Sequence, residues 1–357
     1  MGSKPRRLLF MALVVTGGTL QALVGAVPAP ALSPTAGRAL AATPGELVYV
    51  ANADSGPVTV YGAGSAGAVA PVRTIANPNN PNTVWDPWGV TFDHTGNLYV
   101  QTFLSDATTF VFPPGASGTT PPSRIFQANA PDNRAVAVDA NGFEYVAGGE
   151  VGASIFVEPP GANGTPGDLY HVSPPRTITL TTSFIPWPSI LTVDNRNEAL
   201  VAVTGPQGNS IEVFSGGTGG SATPVRVISG PDTGLGACAS PCDELSIFFS
   251  PFTGRIYAAV SAGATTHISV FAADASGDTL PVRTIEGPAT GLAGNVITGI
   301  TDSQTDGTIY AMVKTSQFGA GHVNAYARLA QGNAAPLTSF TDLSSAFADA
   351  AGIAVTN

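Results

Sequence analysis

The sequence predicts an all-β fold: a six-bladed β-propeller of four-stranded antiparallel blades, closed by pairing of its N- and C-terminal strands. Three observations predict it. First, a unit of about 50 residues recurs six times, as in LVYVANADSGPVTVYGAGSAGAVAPVRTI from Leu47 and IYAAVSAGATTHISVFAADASGDTLPVRTI from Ile256. Repeats of that period built from short strands form propellers or solenoids. Second, only 11% of residues are charged, while Gly (42) and Pro (30) abound, a composition of short strands and tight turns. Hydrophobic residues, 43% of the chain, recur in register, which argues against disorder. Third, each end lacks what the other supplies, so joining them leaves no open sheet edge.

The first 41 residues read as an export signal with a spacer. Lys4, Arg6 and Arg7 precede an apolar run from Leu8 to Val15, and Ala39-Leu40-Ala41 offers a cleavage site. The Arg6-Arg7 pair suits a twin-arginine signal, and the ordinary secretory signal is the equal alternative. The run is too short to span a bilayer. Residues 42–357 then form the propeller, in a secreted chain placed in the periplasm or outside the cell. Without the leader there remain 10 basic and 24 acidic residues, a formal net charge of −14. Such a surface repels nucleic acid and anionic membranes, so neither is expected as a partner. A monomer is expected.

Each repeat divides into four strands. The innermost are 89–93, 135–139, 190–194, 245–249, 297–301 and 352–356. Their imperfect alternation fits strands buried on both faces. Asp93, Asp139 and Asp194 close them and suit Asx-type turns rather than a calcium site; Asp302 sits one residue later and is expected to do the same. Second strands begin at Leu47, Leu98, Glu144, Ala199, Ile256 and Ile309, and third strands lie at 58–61, 109–112, 154–157, 211–214, 268–271 and 323–326. The outermost strand carries PVRTI or a relative of it, degenerating to PLTSF at 336. Its recurrent Arg73, Arg124, Arg176, Arg226 and Arg283 are expected to blunt an exposed edge and to pair with acids on the next blade. The chain begins at a second strand and ends after a first strand, so 352–356 is expected beside 47–51.

The phrases GVTFDHTGNLYV and AVDANGFEYVA resemble the NHL-type propeller repeat, over almost all of residues 46–357. The resemblance implies the architecture. NHL-like rings include binding modules, sensors and some enzymes, so it does not choose a function.

In a four-stranded meander, the loops between blades and those joining second to third strands share one face. All three tryptophans fall there: Trp85 and Trp88 in NTVWDPWG, and Trp187 in SFIPWPS. Asp86, Asn133, Arg134, Asp243, Glu244 and Asn295 accompany them. Aromatic rings with acids and amides at a ring mouth suit a small molecule, a glycan or a protein segment. The competing reading is that the rings plug gaps between blades. Asn52, His267, Lys314 and His322 share this face, where a lone His is more often a solvated loop residue than a catalyst. The opposite third-to-fourth-strand loops are Gly-, Ala- and Ser-rich and chemically bland. Cys238 and Cys242, the only cysteines, are expected to form a disulfide in an exported protein.

No G-x-S-x-G, H-E-x-x-H or P-loop occurs. The first reading is therefore a secreted, non-enzymatic binding propeller without cofactor, its site on the tryptophan-bearing face. The alternative is a lactonase-like hydrolase or lyase with a divalent metal in the channel, which needs acids and amides to converge there.

Overall fold

A computed structural model describes residues 45–356, apart from 54–55, 78–84, 104–107, 128–134, 149–153, 165–175, 181–190, 206–207, 217–221, 237–243 and 346. Among the described residues, six antiparallel sheets succeed one another around a ring. Blade 1 orders Ala350–Val355, Leu47–Asn52, Val58–Gly62 and Arg73–Ile75 from inside to outside. Blade 2 runs Pro87–Phe92, Leu98–Thr102, Thr108–Phe112 and Arg124–Gln127; blade 3 runs Ala135–Val138, Glu144–Gly148, Ser154–Glu158 and Arg176–Thr179. Blade 4 comprises Leu191–Val193, Ala199–Gly205, Gly208–Phe214 and Arg226–Ile228, and blade 5 Glu244–Ser250, Arg255–Ser261, His267–Ala272 and Arg283–Ile285. Blade 6 comprises Val296–Asp302, Ile309–Lys314, Gly321–Tyr326 and Thr338–Asp342. Every inner strand packs against the inner strands of both neighbouring blades.

The ring closes as the chain ends demand. Val48 pairs with Val355, Val50 with Ile353 and Ala51 with Gly352. Thr356 N–H donates to the Leu47 carbonyl at 2.9 Å, and Leu47 N–H to Thr356 Oγ1 at 2.9 Å.

Each seam between blades is a hydrophobic layer fed from both sides. One blade supplies residues such as Tyr49 and Val60, and the next supplies Leu98 and Phe112. The second contribution repeats by register. Val48 faces Tyr61, Leu98 faces Phe112, Ala199 faces Phe214, Ile256 faces Phe271 and Ile309 faces Tyr326. Aliphatic–aromatic pairs across neighbouring strands are the favourable packing unit of a sheet. Blade 3 departs from this, with Glu144 facing Glu158.

The inner-strand turns form as their acids suggest. Asp93 Oδ1 accepts from Thr95 N–H and Asn97 N–H, both at 2.9 Å. Asp139 receives Asn141 and Phe143, and Asp194 receives Arg196 and Glu198, in the same way. Asp302 does not. Ser303 makes that turn, accepting from Thr305 and Asp306 N–H. Asp302 pairs with Ile309 in the register position held by Phe92, Val138, Val193, Phe249 and Val355 elsewhere. There it accepts hydrogen bonds from Ser250 Oγ of blade 5 and from Gln304 Nε2.

The bland third-to-fourth-strand loops have a structural task. Those of blades 2, 5 and 6 reach back to the outer strand of the preceding blade. Gly118 N–H donates to Thr74 O at 2.6 Å and its carbonyl accepts from Ala76 N–H at 2.8 Å. Gly277 brackets Val227 and Ser229, and Gly332 brackets Thr284 and Glu286, by the same two bonds. Gly67–Val69 extends the pattern into a short parallel strand on Thr338–Asp342 of blade 6. Gly67, Gly118, Gly277 and Gly332 have φ between 56° and 72° with nothing near an added Cβ. Glycine is needed there for its left-handed backbone, not for space. The pairing covers outer edges that otherwise stand open to other chains.

The recurrent arginines reinforce the same joint. Arg124 donates to Ala162 O (2.8 Å), Arg226 to Ala273 O (2.8 Å) and Arg283 to Arg328 O (2.6 Å), each on the next blade. Their partners across the seam are thus chiefly turn carbonyls. The expected acid on the next blade appears for Arg124, whose Nη2 lies 2.6 Å from Glu144 Oε1. Arg226 instead pairs with Glu198 of its own blade. The Arg176 side chain lies outside the described residues.

Candidate functional site

The tryptophan-bearing face is described only in part. Asn133, Arg134, Trp187, Cys238, Cys242 and Asp243 lie outside the described residues, as does the side chain of Glu244, the first residue of its strand.

Trp85, Asp86 and Trp88 are described, and all three are buried. Trp85 is 4% exposed and meets Phe110 and Phe112 edge-on at 6.0 and 6.1 Å, in the layer shared with Tyr49, Val58 and Val60 of blade 1. Trp88 is 5% exposed, packs on Phe103, Ala53 and Ala351, and donates Nε1–H to Asp86 Oδ1 at 2.8 Å. Neither ring offers a free face on which a ligand stacks. Asn295 is half-buried, and its amide donates to Gly291 O at 3.1 Å.

The other polar residues of this face are structural. His267 is bracketed by Thr265 O at Nδ1 (2.7 Å) and Gly234 O at Nε2 (3.0 Å). Lys314, 1% exposed, donates Nζ to Ala348 O (2.8 Å) and Ala350 O (3.0 Å). It ties the second strand of blade 6 to the entry of the closing strand. Asn52 bonds Pro57 O at 2.7 Å and Thr59 Oγ1 at 3.0 Å. Burial pushes the His322 imidazole below its ordinary pKa, which favours the neutral ring.

A cavity of about 340 Å³ lies on the ring axis, lined by all six inner strands. Its wall includes Val90, Val136, Leu191, Ile247, Ile300 and Ile353. It reaches the inner-strand turns, where His94, Asn195 and Gln304 add polar groups beside Ala140 and Pro251. This end is opposite Trp85 and Trp88. The turn acids give the rim its charge. Burial raises the Asp93 carboxyl, but hydrogen bonds from Asn97 and Thr95 outweigh it and hold the pKa below the ordinary value. Asp302 goes the other way. Burial pushes it up to about 7, hydrogen bonds from Ser250 and Gln304 oppose this, and Glu46 and Asp306 add to it. At neutral pH the rim therefore carries an ionised Asp93.

Among the described residues, no group of three or more His, Cys, Asp or Glu is placed to hold a metal ion. No described helix is long and apolar enough to cross a membrane. The inner strands and their turn acids were legible in the sequence. The end at which the described cavity opens was not, because that depends on how wide the ring is at each end.

No protein-family model matches this sequence, and no curated protein matches it. Solved structures do match its fold. A protein of unknown function from Bacteroides caccae aligns with a TM-score of 0.56 at 9% identity, over 87% of this chain and 99% of that one. The C-terminal WD40 domain of Sif2 aligns at a TM-score of 0.42 and 10% identity, over 81% of this chain and 67% of that one. At 9% identity the Bacteroides likeness carries the fold alone: the chain is a six-bladed β-propeller.

Proposed function

We propose that the chain is an exported, NHL-like binding propeller without catalytic activity, which holds a small ligand in its axial channel. The cavity of about 340 Å³ carries this reading. Its volume falls in the range of small-molecule sites, with apolar walls and a few polar groups at one end. The wall suits a narrow apolar body. The rim, with ionised Asp93, suits a cationic or hydrogen-bond-donating head. Such a ligand leaves Trp85 and Trp88 to their packing role and needs no metal.

The test compares n-octylamine, n-octanol and n-octanoate by calorimetry on the wild-type chain and on Thr91→Trp, which enlarges a half-buried side chain of the cavity lining. The amine is expected to bind most tightly, and Thr91→Trp to abolish its binding. Equal binding by the plugged and open rings removes the channel as the site. Binding lost instead in Trp187→Ala places it on the opposite face. Fractionating cells and sequencing the N-terminus tests export: a chain starting near Ala42 outside the cytoplasm supports it, and a chain found only in the cytoplasm with Met1 intact refutes it.

A further inference from the structure

Glu144 and Glu158 occupy a register position that the other five blades fill with an aliphatic–aromatic pair. Both are 0% exposed. They sit on the seam between blades 2 and 3, beside Tyr99, Phe126, Val136 and Val146. Like charges directly across a strand pair repel, and a buried carboxylate without a partner is costly.

Among the described residues, few groups face the pair. From blade 2, Arg124 places Nη2 2.6 Å from Glu144 Oε1 and 2.6 Å from Tyr99 Oη. Asp93 adds a negative charge felt by Glu144 and lies 3.5 Å from the Tyr99 hydroxyl. Within blade 3, Tyr145 and Asp139 bond each other (3.3 Å), and Tyr145 packs in the layer shared with blade 4. Among the described residues, neither oxygen of Glu158 has a hydrogen-bond partner. Arg124 thus neutralises one carboxylate and nothing described neutralises the other.

We infer that Glu144 and Glu158 share one proton in the folded chain, and that losing it to solvent loosens the blade 2–blade 3 seam. Arg124, one carboxylate and one carboxylic acid make a neutral buried group. The direction of titration agrees. Burial pushes both carboxyls up to about 7; Arg124 opposes this at Glu144, and the charge of Glu144 adds to it at Glu158. The charge of Glu144 thus links its titration to that of Glu158. A raised folded-state pKa means that the fold binds the proton more tightly than the unfolded chain. Stability is then highest below pH 4.5 on this account and is lost as pH rises through about 7. The inference does not depend on what the channel holds.

The experiment records melting temperature from pH 5 to 8.5 for the full chain, Glu158→Gln, and the double variant Glu144→Leu/Glu158→Phe. The double variant restores the pattern of the other blades and serves if Gln impairs folding. The wild type is expected to lose ~3 °C or more relative to either variant over this range. Parallel profiles for all three overturn the inference. So does a wild-type melting temperature at pH 8 restored by 1 mM calcium and unaffected by it in Glu158→Gln, which assigns the pair to a cation instead.

Discussion

Trp85→Ala removes an indole that is 4% exposed and wedged between Phe110, Phe112 and the residues of blade 1. A buried Trp removes up to ~250 Å² from water. At ~25 cal/mol per Å² this amounts to ~6 kcal/mol. The β-carbon that alanine retains and partial collapse of the site lower the expected loss to about 3–5 kcal/mol. For a chain of this length, with about 2 °C per kcal/mol, the melting temperature falls by ~6–10 °C. Urea and thermal unfolding followed by circular dichroism measure it. The same preparation is titrated with n-octylamine below its melting range. The expected result is a less stable ring with unchanged binding. A loss of less than ~1 kcal/mol together with abolished binding refutes the packing role and restores Trp85 as a ligand platform.

Deleting residues 352–357 removes the inner strand of blade 1, paired with Leu47–Asn52, and should abolish cooperative unfolding; a truncated chain that melts like the intact one contradicts the closure. Asp342 is held down to about 2: burial raises it, and hydrogen bonds from Ser344, Tyr61 and Ser345 outweigh that. Its contribution to stability is present above about pH 4 and lost as pH falls towards 2. Asp342→Asn should therefore lower the neutral-pH melting temperature and flatten the acid limb, and an unchanged acid limb counts against it. Cys238 and Cys242 should be oxidised in exported protein, stabilising it by roughly 2 kcal/mol; titration of two free thiols in the native, non-reduced chain excludes the bridge.

The architecture was legible because it is written locally and repeatedly. A terminal strand missing at Leu47 and supplied at Gly352 needs only counting, and Asp93, Asp139 and Asp194 announce their turns by the residues that follow them. What was illegible depends on neighbours distant in sequence. Whether Trp85 is a platform or a plug is decided by Val58 and Val60 of another blade. Lys314 looks like a loop cation until the carbonyls of Ala348 and Ala350 are beside it. Asp302 misled by one residue, since Ser303 takes the turn and sends the acid inward. Ending the third strand of blade 3 at residue 157 left Glu158 outside the alignment. Carried one residue further, the register sets it against Tyr61, Phe112, Phe214, Phe271 and Tyr326 and exposes it as the odd member.

The glycine staples give the ring a direction. At the described joints a blade does not seal its own rim; its neighbour does, by lending a turn to the strand behind it. The neighbour of blade 6 around the ring is blade 1, whose Gly67–Val69 does this. Each unit whose turn is described thus carries both a socket and the plug for the unit before it. A copied blade arrives with its own fittings, which makes duplication a simple route by which such a ring grows. A blade removed without its neighbours adjusting leaves the ring too short for its last plug to reach its socket.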